Sequence, residues 1–229
     1  MTPLSRRQIA WRAAQDLPDG AYVNLGIGLP TLVSDYIPEG REVVFHSENG
    51  VLGLGPAPAP GEEDPDLINA GRGLVTIVPG GAIVHHNDAF LIIRGGHLDY
   101  SLLGAFQVSA AGDLANWATD DPTFPPGLGG AMDLAVGAKE VRVLIEHTTK
   151  DGRPRLVARC TYPLTAARCV KRIYTNLAVL DVTEAGFVVR EMVAGLDAPA
   201  LQRLTDAPLA FAPDCGVLKA PPLGERARG

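Results

Sequence analysis

"AYVNLGIGLPTLVSDYIPEG", residues 21–40, decides the fold class. Tyr22 to Leu25 is an apolar run of strand length, and Gly26-Ile27-Gly28 turns it. Pro30 then stands at a first helical position, where its missing N–H costs nothing. The stretch thus reads as strand, glycine turn and helix. Upstream, Ser5-Arg6-Arg7-Gln8 matches a capping box, and Ile9, Ala10, Ala13, Ala14 and Leu17 follow with helical spacing until Asp19-Gly20. Downstream, Val43–Phe45 reads as a second buried strand.

Further short apolar runs follow at Leu91–Ile93, Tyr100–Leu103 and Val141–Ile145, each bounded by Gly, Asp or Lys, with a helical period over Gly129–Glu140. Alternating helices and near-continuous apolar strands predict an α/β fold: an open, mostly parallel sheet sandwiched by helices. "LAVLDV" and "FVVREMV" flank Thr183-Glu184-Ala185-Gly186 as a hairpin, and "DAPALQRLTDAP" gives one more short helix. "GPAPAPGEEDPDLINAGRG", residues 55–73, reads either as a linker or as an ordered excursion within the domain. One domain over residues 1–213 and a flexible tail over 214–229 are expected, with no internal repeat.

Composition narrows the function. Hydrophobic residues make up 46% and charged ones 20%, and the net charge is −6 with no run of Lys or Arg to follow phosphates, so no nucleic-acid partner is expected. Cys160, Cys169 and Cys215 are odd in number and fall in no CxxC spacing, which points to a reducing compartment. No signal peptide and no membrane-spanning stretch is legible, so a cytoplasmic protein is expected.

Most candidate chemistries fail on spacing. Asn24-Leu25-Gly26-Ile27-Gly28 begins like a dinucleotide fingerprint, but Thr31 occupies the third glycine position. It reads as a tight turn whose amides can face a ligand. His85-His86 with Asp88, read on a strand, would point to opposite faces and not chelate one ion; no metal is expected. The cysteines sit in no pattern that lowers a thiol pKa, and no G-x-S-x-G is present.

Two features remain. In "EVVFHSENGVLGLG", residues 42–55, Asn49-Gly50 between apolar runs is a hairpin signal, and Glu48 is mounted on that turn. In "PPGLGGAMDL", residues 125–134, Gly127, Gly129 and Gly130 precede a helical run, either as an oxyanion cradle or as a plain start of a helix. A carboxylate can be a covalent catalyst, attacking an acyl carbonyl to give an anhydride that a thiolate then opens. That chemistry needs a thioester substrate such as an acyl-CoA.

At this point the sequence resembles the beta subunit of family I CoA-transferases, the succinyl-CoA:3-oxoacid type. The resemblance rests on "DGAYVNLGIGLPTLVSDYIPEG", "SENGVLGLGP", "DPDLINAGR", "IRGGHLDYSLLGAFQV", "GDLANW", "GLGGAMDLAVGAK" and "EHTTKDG", in that order. It implies Glu48 as nucleophile and Gly129 as the donor of an oxyanion N–H. It further implies Gly130, Asn49 and Gly28 as oxyanion or substrate residues, and Asn69 and Arg72 as CoA contacts. It implies a ping-pong transfer through an acyl-glutamyl anhydride and a glutamyl-CoA thioester, needing no cofactor beyond the CoA substrate. The partner implied is an alpha subunit, with acyl-CoA and small carboxylic acids as ligands.

The chain departs from that family at "GGAIVHHNDA", residues 80–89, where a Ser/Phe/Asp-rich stretch is expected. It departs again at "PTFPP", residues 122–126, which lacks the usual basic residues, and at Arg72, where lysine is common. The first expectation for the acceptor is acetoacetate with succinyl-CoA as donor, with 3-oxoadipate the variant. An acyl-CoA hydrolase and a non-catalytic interaction subunit are the remaining alternatives, and a sugar-phosphate isomerase has no residue pattern behind it.

Overall fold

The computed structural model describes residues 1–121, 123 and 125–223. Helix α1 (Arg6–Gln15) starts as the sequence predicts: the Ser5 hydroxyl accepts from Gln8 N–H and the Gln8 side chain accepts from Ser5 N–H. Its buried face of Ile9, Ala10, Ala13 and Ala14 packs on a 3-10 helix at Pro30–Tyr36, which follows strand β1 (Ala21–Leu25). The chain continues through β2 (Val43–Ser47), β3 (Val51–Leu54), β4 (Ile77–Ile83), α2 (His86–Arg94), β5 (Tyr100–Leu103), β6 (Gln107–Ser109) and β7 (Leu114–Ala115). After α3 (Ala131–Gly137) come β8 (Glu140–Leu144), β9 (Leu156–Val157), β10 (Val170–Tyr174), β11 (Ala178–Thr183), β12 (Gly186–Val193), α4 (Ala198–Arg203) and β13 (Leu209–Leu218).

Ten strands form one sheet in the order β13-β12-β11-β10-β8-β5-β1-β2-β3-β4, and β7-β6-β9 form a small second sheet. The centre, β10-β8-β5-β1-β2, is parallel throughout; hairpins β2-β3-β4 on one side and β10-β11-β12 on the other add antiparallel wings. From β1 the chain passes outward to β2 in one direction and later to β5 and β8 in the other. Right-handed crossovers therefore put the 3-10 helix and α3 on opposite faces, in keeping with the contacts of α1 with the 3-10 helix and of α2 with α3. Val23, Leu102, Val143 and Ile173, on four of these five central strands, are fully buried, as strands covered on both faces require.

Three expectations change. Leu91–Ile93 lies in helix α2, not on a strand, because His85 caps that helix by accepting from Asn87 N–H and Ala89 and Ile93 fall on one buried face. His85 and His86 are thus a cap and a first helical residue, and strand alternation does not describe them. The tail expected from residue 214 begins as strand, since Gly216, Val217 and Leu218 of β13 pair with Glu191, Met192 and Val193. Residues 224–229 of that tail, and Pro122 and Phe124 of the "PTFPP" stretch, lie outside the described residues.

The 55–73 stretch is the long loop of the β3–β4 hairpin, closed at its base by Gly55 N–H on Thr76 O (2.7 Å). It is tied down over the β2–β3 turn by the Asn49 carboxamide on Ile68 O (2.7 Å) and by Ala70 N–H on the Ser47 hydroxyl (3.0 Å). Among the described residues no helix is long and apolar enough to cross a membrane.

Candidate active site

Four adjacent parallel strands, β8, β5, β1 and β2, end on the same edge of the sheet, and a cavity of about 560 Å³ opens there. Its floor is the strand-to-helix turn Gly26-Ile27-Gly28 after β1 and Leu103-Gly104-Ala105 at the end of β5. Sheet order reverses at β1, so this is a topological switch point, where the ends of neighbouring strands diverge and leave a crevice. A β-carbon on Gly26 would stand 3.0 Å from Leu102 O, so glycine lets these two strand ends stay close.

Glu48 stands on the flank of that cavity, on a turn closed by Gly50 N–H on Ser47 O (2.9 Å). Ser47 pairs with Val51 across it, which makes a three-residue hairpin loop. Only Gly50 takes a positive φ, +112°, and Val84 O lies against its Cα so closely that any β-carbon would overlap it. The turn is therefore fixed from both ends: by the pairing of β2 with β3, and by the chain that runs from β4 into α2.

The Glu48 carboxylate is held between elements. His86 Nδ1–H donates to the Glu48 main-chain carbonyl at 3.0 Å, and the His86 and Phe90 rings meet with centroids 4.8 Å apart. Arg94 continues that stripe of α2, 5.5 Å over the Phe90 ring, and pairs with Asp133 of α3 at 2.7 Å. On the other side lies Gly130: a β-carbon there would overlap Glu48 Oε2 and stand 3.0 Å from Phe90 Cζ. Burial raises the Glu48 pKa above its ordinary 4.5, His86 works against that shift and Asp133 with it.

Gly129 and Gly130 line the same cavity ahead of α3, and neither of their N–H groups has a hydrogen-bond partner among the described residues. Gly129 takes φ +52° with open space around its Cα. Gly137 at the far end of α3 lies against Ile93 O too closely for any side chain, so α2 and α3 pack backbone to backbone and hold these amides beside Glu48. Beneath the site, Asn24 donates to His46 Nδ1 (3.0 Å) and His46 Nε2 donates to Ala89 O (3.1 Å), linking β1, β2 and α2. Burial lowers the His46 pKa, which suits that neutral role.

Of the expected site residues, Glu48, Gly28, Gly129 and Gly130 share the cavity; Asn49, Asn69 and Arg72 do not line it. Asn49 projects from the turn toward the 55–73 loop, because its neighbour Glu48 takes the cavity side. Asn69 shapes that loop, its Oδ1 accepting from Gly71 N–H and Gly73 N–H at 2.9 Å each. Arg72 is exposed, in the left-handed region at φ +64°. Burial pushes the Cys160 and Cys169 thiols up to about 11, so neither is a ready thiolate. Among the described residues no three His, Cys, Asp or Glu side chains gather as ligands for an ion.

Residue-by-residue reading missed Phe90 and Asp133 and weighed His86 only as a metal ligand; all three matter through contacts made across α2 and α3. It also missed Arg6, Glu146, Lys150 and Arg155 on the cavity wall. The i, i+4, i+8 spacing of His86, Phe90 and Arg94 was the available signal for the first group.

Known proteins share both the sequence and the fold. Residues 6–196 match the family model described as coenzyme A transferase. The chain is 58% identical over 206 residues to one of the subunits of the 3-oxoadipate CoA-transferase of Acinetobacter baylyi, covering 90% of this chain and 95% of that one. It is 46% identical to the human mitochondrial succinyl-CoA:3-ketoacid coenzyme A transferase 2, covering 92% of this chain and 41% of the human protein. Among solved structures, the acyl-CoA transferase apoenzyme of Escherichia coli O157:H7 superposes with a TM-score of 0.71 at 18% identity, over 93% of this chain and 43% of that one, which speaks for the fold alone.

Proposed function

Because this chain belongs to the coenzyme A transferase family as a beta subunit, we propose that it serves a transferase that moves CoA from succinyl-CoA to 3-oxoadipate. The acetoacetate reading that the sequence put first gives way here. The 58% identity to a subunit of a 3-oxoadipate enzyme, against 46% to a succinyl-CoA:3-ketoacid enzyme, is the observation that supports the 3-oxoadipate reading.

Glu48 is the nucleophile. Its carboxylate, partly withdrawn from water, attacks the thioester carbonyl of the donor, and the developing oxyanion takes the free N–H groups of Gly129 and Gly130. Collapse breaks the C–S bond and yields an acyl-glutamyl anhydride and CoA thiolate. The thiolate attacks the Glu48 carbonyl, releasing the donor acid as its carboxylate and leaving a glutamyl-CoA thioester. The acceptor carboxylate attacks that thioester, the thiolate leaves and then opens the new anhydride on the acyl side, and Glu48 is restored. No net proton is taken up or released, and no cofactor beyond the CoA substrate is needed.

An alpha subunit is the partner we propose, since the 58% identical relatives are each named as one subunit of an enzyme and the chain spans less than half of the human relative. It closes the cavity on the side that this chain leaves open. The three free cysteines suit the reducing cytoplasm, where we expect the enzyme to work.

Acceptor kinetics test the assignment. With the cognate alpha subunit and saturating succinyl-CoA, kcat/KM for 3-oxoadipate should exceed that for acetoacetate by about tenfold or more, about 1.4 kcal/mol of discrimination. The reverse ratio would return the enzyme to acetoacetate. Loss of acyl-CoA without any acceptor would favour the hydrolase.

The pH profile carries a second prediction. The acid limb of kcat/KM should lie above the ordinary glutamate value of 4.5, since burial raises the Glu48 pKa and only the carboxylate attacks. His86 lowers the Glu48 pKa and Asp133, which pairs with Arg94, raises it. His86→Gln should therefore shift the limb to higher pH, and Asp133→Asn should shift it lower. Shifts of the same sign in both variants would detach the limb from Glu48.

A further inference from the structure

The cavity that holds Glu48 also carries cations. Arg155, Lys150 and Arg6 line it, against Glu146 and Glu48 itself, and among the described residues none of the three cations is in a salt bridge. Arg12, Arg94, Arg142, Arg153, Arg172 and Arg190 are all paired with carboxylates; among the described residues the partly buried Arg155 and Arg41 are not, and of these two only Arg155 lines the cavity. Burying part of a guanidinium without a counter-charge costs stability, which makes it a group to account for.

Arg155 is held in place by the main chain. Its N–H donates to His147 O (3.1 Å) after a turn bridged at Thr148 and Pro154. His147, at the foot of that turn, is buried between the Thr175 and Thr205 hydroxyls at 3.1 and 2.9 Å. The Arg155 guanidinium spends Nη1 on Ala105 O (3.2 Å), its Nε is buried with no acceptor, and Nη2 makes no hydrogen bond among the described residues. Ala105 follows β5, which lies two strands from β2, the strand that leads into the Glu48 turn. Two strand spacings amount to about 10 Å, room for the carbon chain of a dicarboxylic acid between an activated carboxyl at Glu48 and a free one at Arg155.

We propose that Arg155, with Lys150 at the exposed rim, binds the far carboxylate of a dicarboxylic acyl group and so selects 3-oxoadipate over a monocarboxylic 3-oxoacid. The assignment rests on the transferase reading above and adds the residue that sets its specificity. The chemistry recognised is an anionic oxygen, which a phosphate of CoA also offers. A distal carboxylate would distinguish acceptors, whereas a CoA phosphate is common to every reaction.

Ping-pong kinetics separate the two sources, because kcat/KM for the acceptor reports only the half-reaction in which that acid attacks glutamyl-CoA. Arg155→Gln and Arg155→Lys are to be assembled with the cognate alpha subunit and compared with wild type on 3-oxoadipate and acetoacetate. Arg155→Gln should lower the ratio of the two kcat/KM values about 10- to 100-fold, the worth of one charged hydrogen bond, mainly through KM for 3-oxoadipate. Arg155→Lys should keep part of the preference. An equal fall for both acids would assign Arg155 to CoA and overturn the proposal, as would an unchanged ratio. Should neither variant assemble, Lys150→Gln on the rim must still lower the ratio, and a ratio equal to wild type there would also overturn it. Failure of the transferase reading itself would appear separately, as absence of transfer by the wild-type enzyme.

Discussion

Glu48→Ala and Glu48→Gln are each expected to lose transfer activity by a factor on the order of 10⁴ or more, the scale on which covalent nucleophiles fail when removed. An amide of the same shape cannot supply the electron pair that forms the anhydride, so the isosteric change should be as damaging as truncation. The fold should not suffer. A carboxyl whose pKa is raised by burial binds its proton more tightly in the folded state than in the unfolded one. Its ionised form therefore opposes folding as pH rises through the folded pKa. Glu48→Gln should thus unfold at neutral pH no earlier than wild type. Assembly with the alpha subunit should also be kept. Turnover near the wild-type rate in either variant would remove Glu48 from the mechanism.

Gly130→Ala is expected to cost about 100-fold or more in kcat, through displacement of the same carboxylate. The added methyl would overlap Glu48 Oε2 and crowd Phe90, so the side chain that must point at the thioester has to move. Gly129→Ala makes the control. Its Cα faces open space and pays only for a left-handed backbone, about 1–2 kcal/mol, so its effect on kcat should be much smaller. Equal losses in the two variants would mean that the glycines serve the loop as a whole and not the position of Glu48.

The fold was legible in the sequence wherever signals were local. Ser5 and Gln8 cap α1, Gly26 to Pro30 turn β1 into a helix, and Gly50 turns β2 into β3, each by chemistry written within a few residues. Leu91–Ile93 was misread because three apolar residues carry no period of their own, and the cap that makes them helical is a histidine. The strand reaching Leu218 was missed because it is an edge strand, with exposed residues such as Val217 and Asp214 that read as tail.

The site divides the same way. Glu48 and the glycine pair stand in contiguous motifs, and the structure brings them to one cavity. Asn49 and Asn69 lie in equally distinctive motifs but hydrogen-bond to the 55–73 loop outside that cavity, and Arg72 is exposed on the same loop. Arg155 had no motif to announce it. Its meaning comes from a counter-charge it lacks among the described residues, which only the three-dimensional arrangement reveals.

Covalent catalysis at Glu48 is the central claim, and intact-mass spectrometry tests it most directly. This chain, assembled with its cognate alpha subunit, is to be mixed with succinyl-CoA without acceptor and measured before and after. A CoA-sized increase on this chain is predicted, absent from Glu48→Ala and discharged when 3-oxoadipate is added. An increase that persists in Glu48→Ala, or no increase from succinyl-CoA in an assembled and active enzyme, would contradict it.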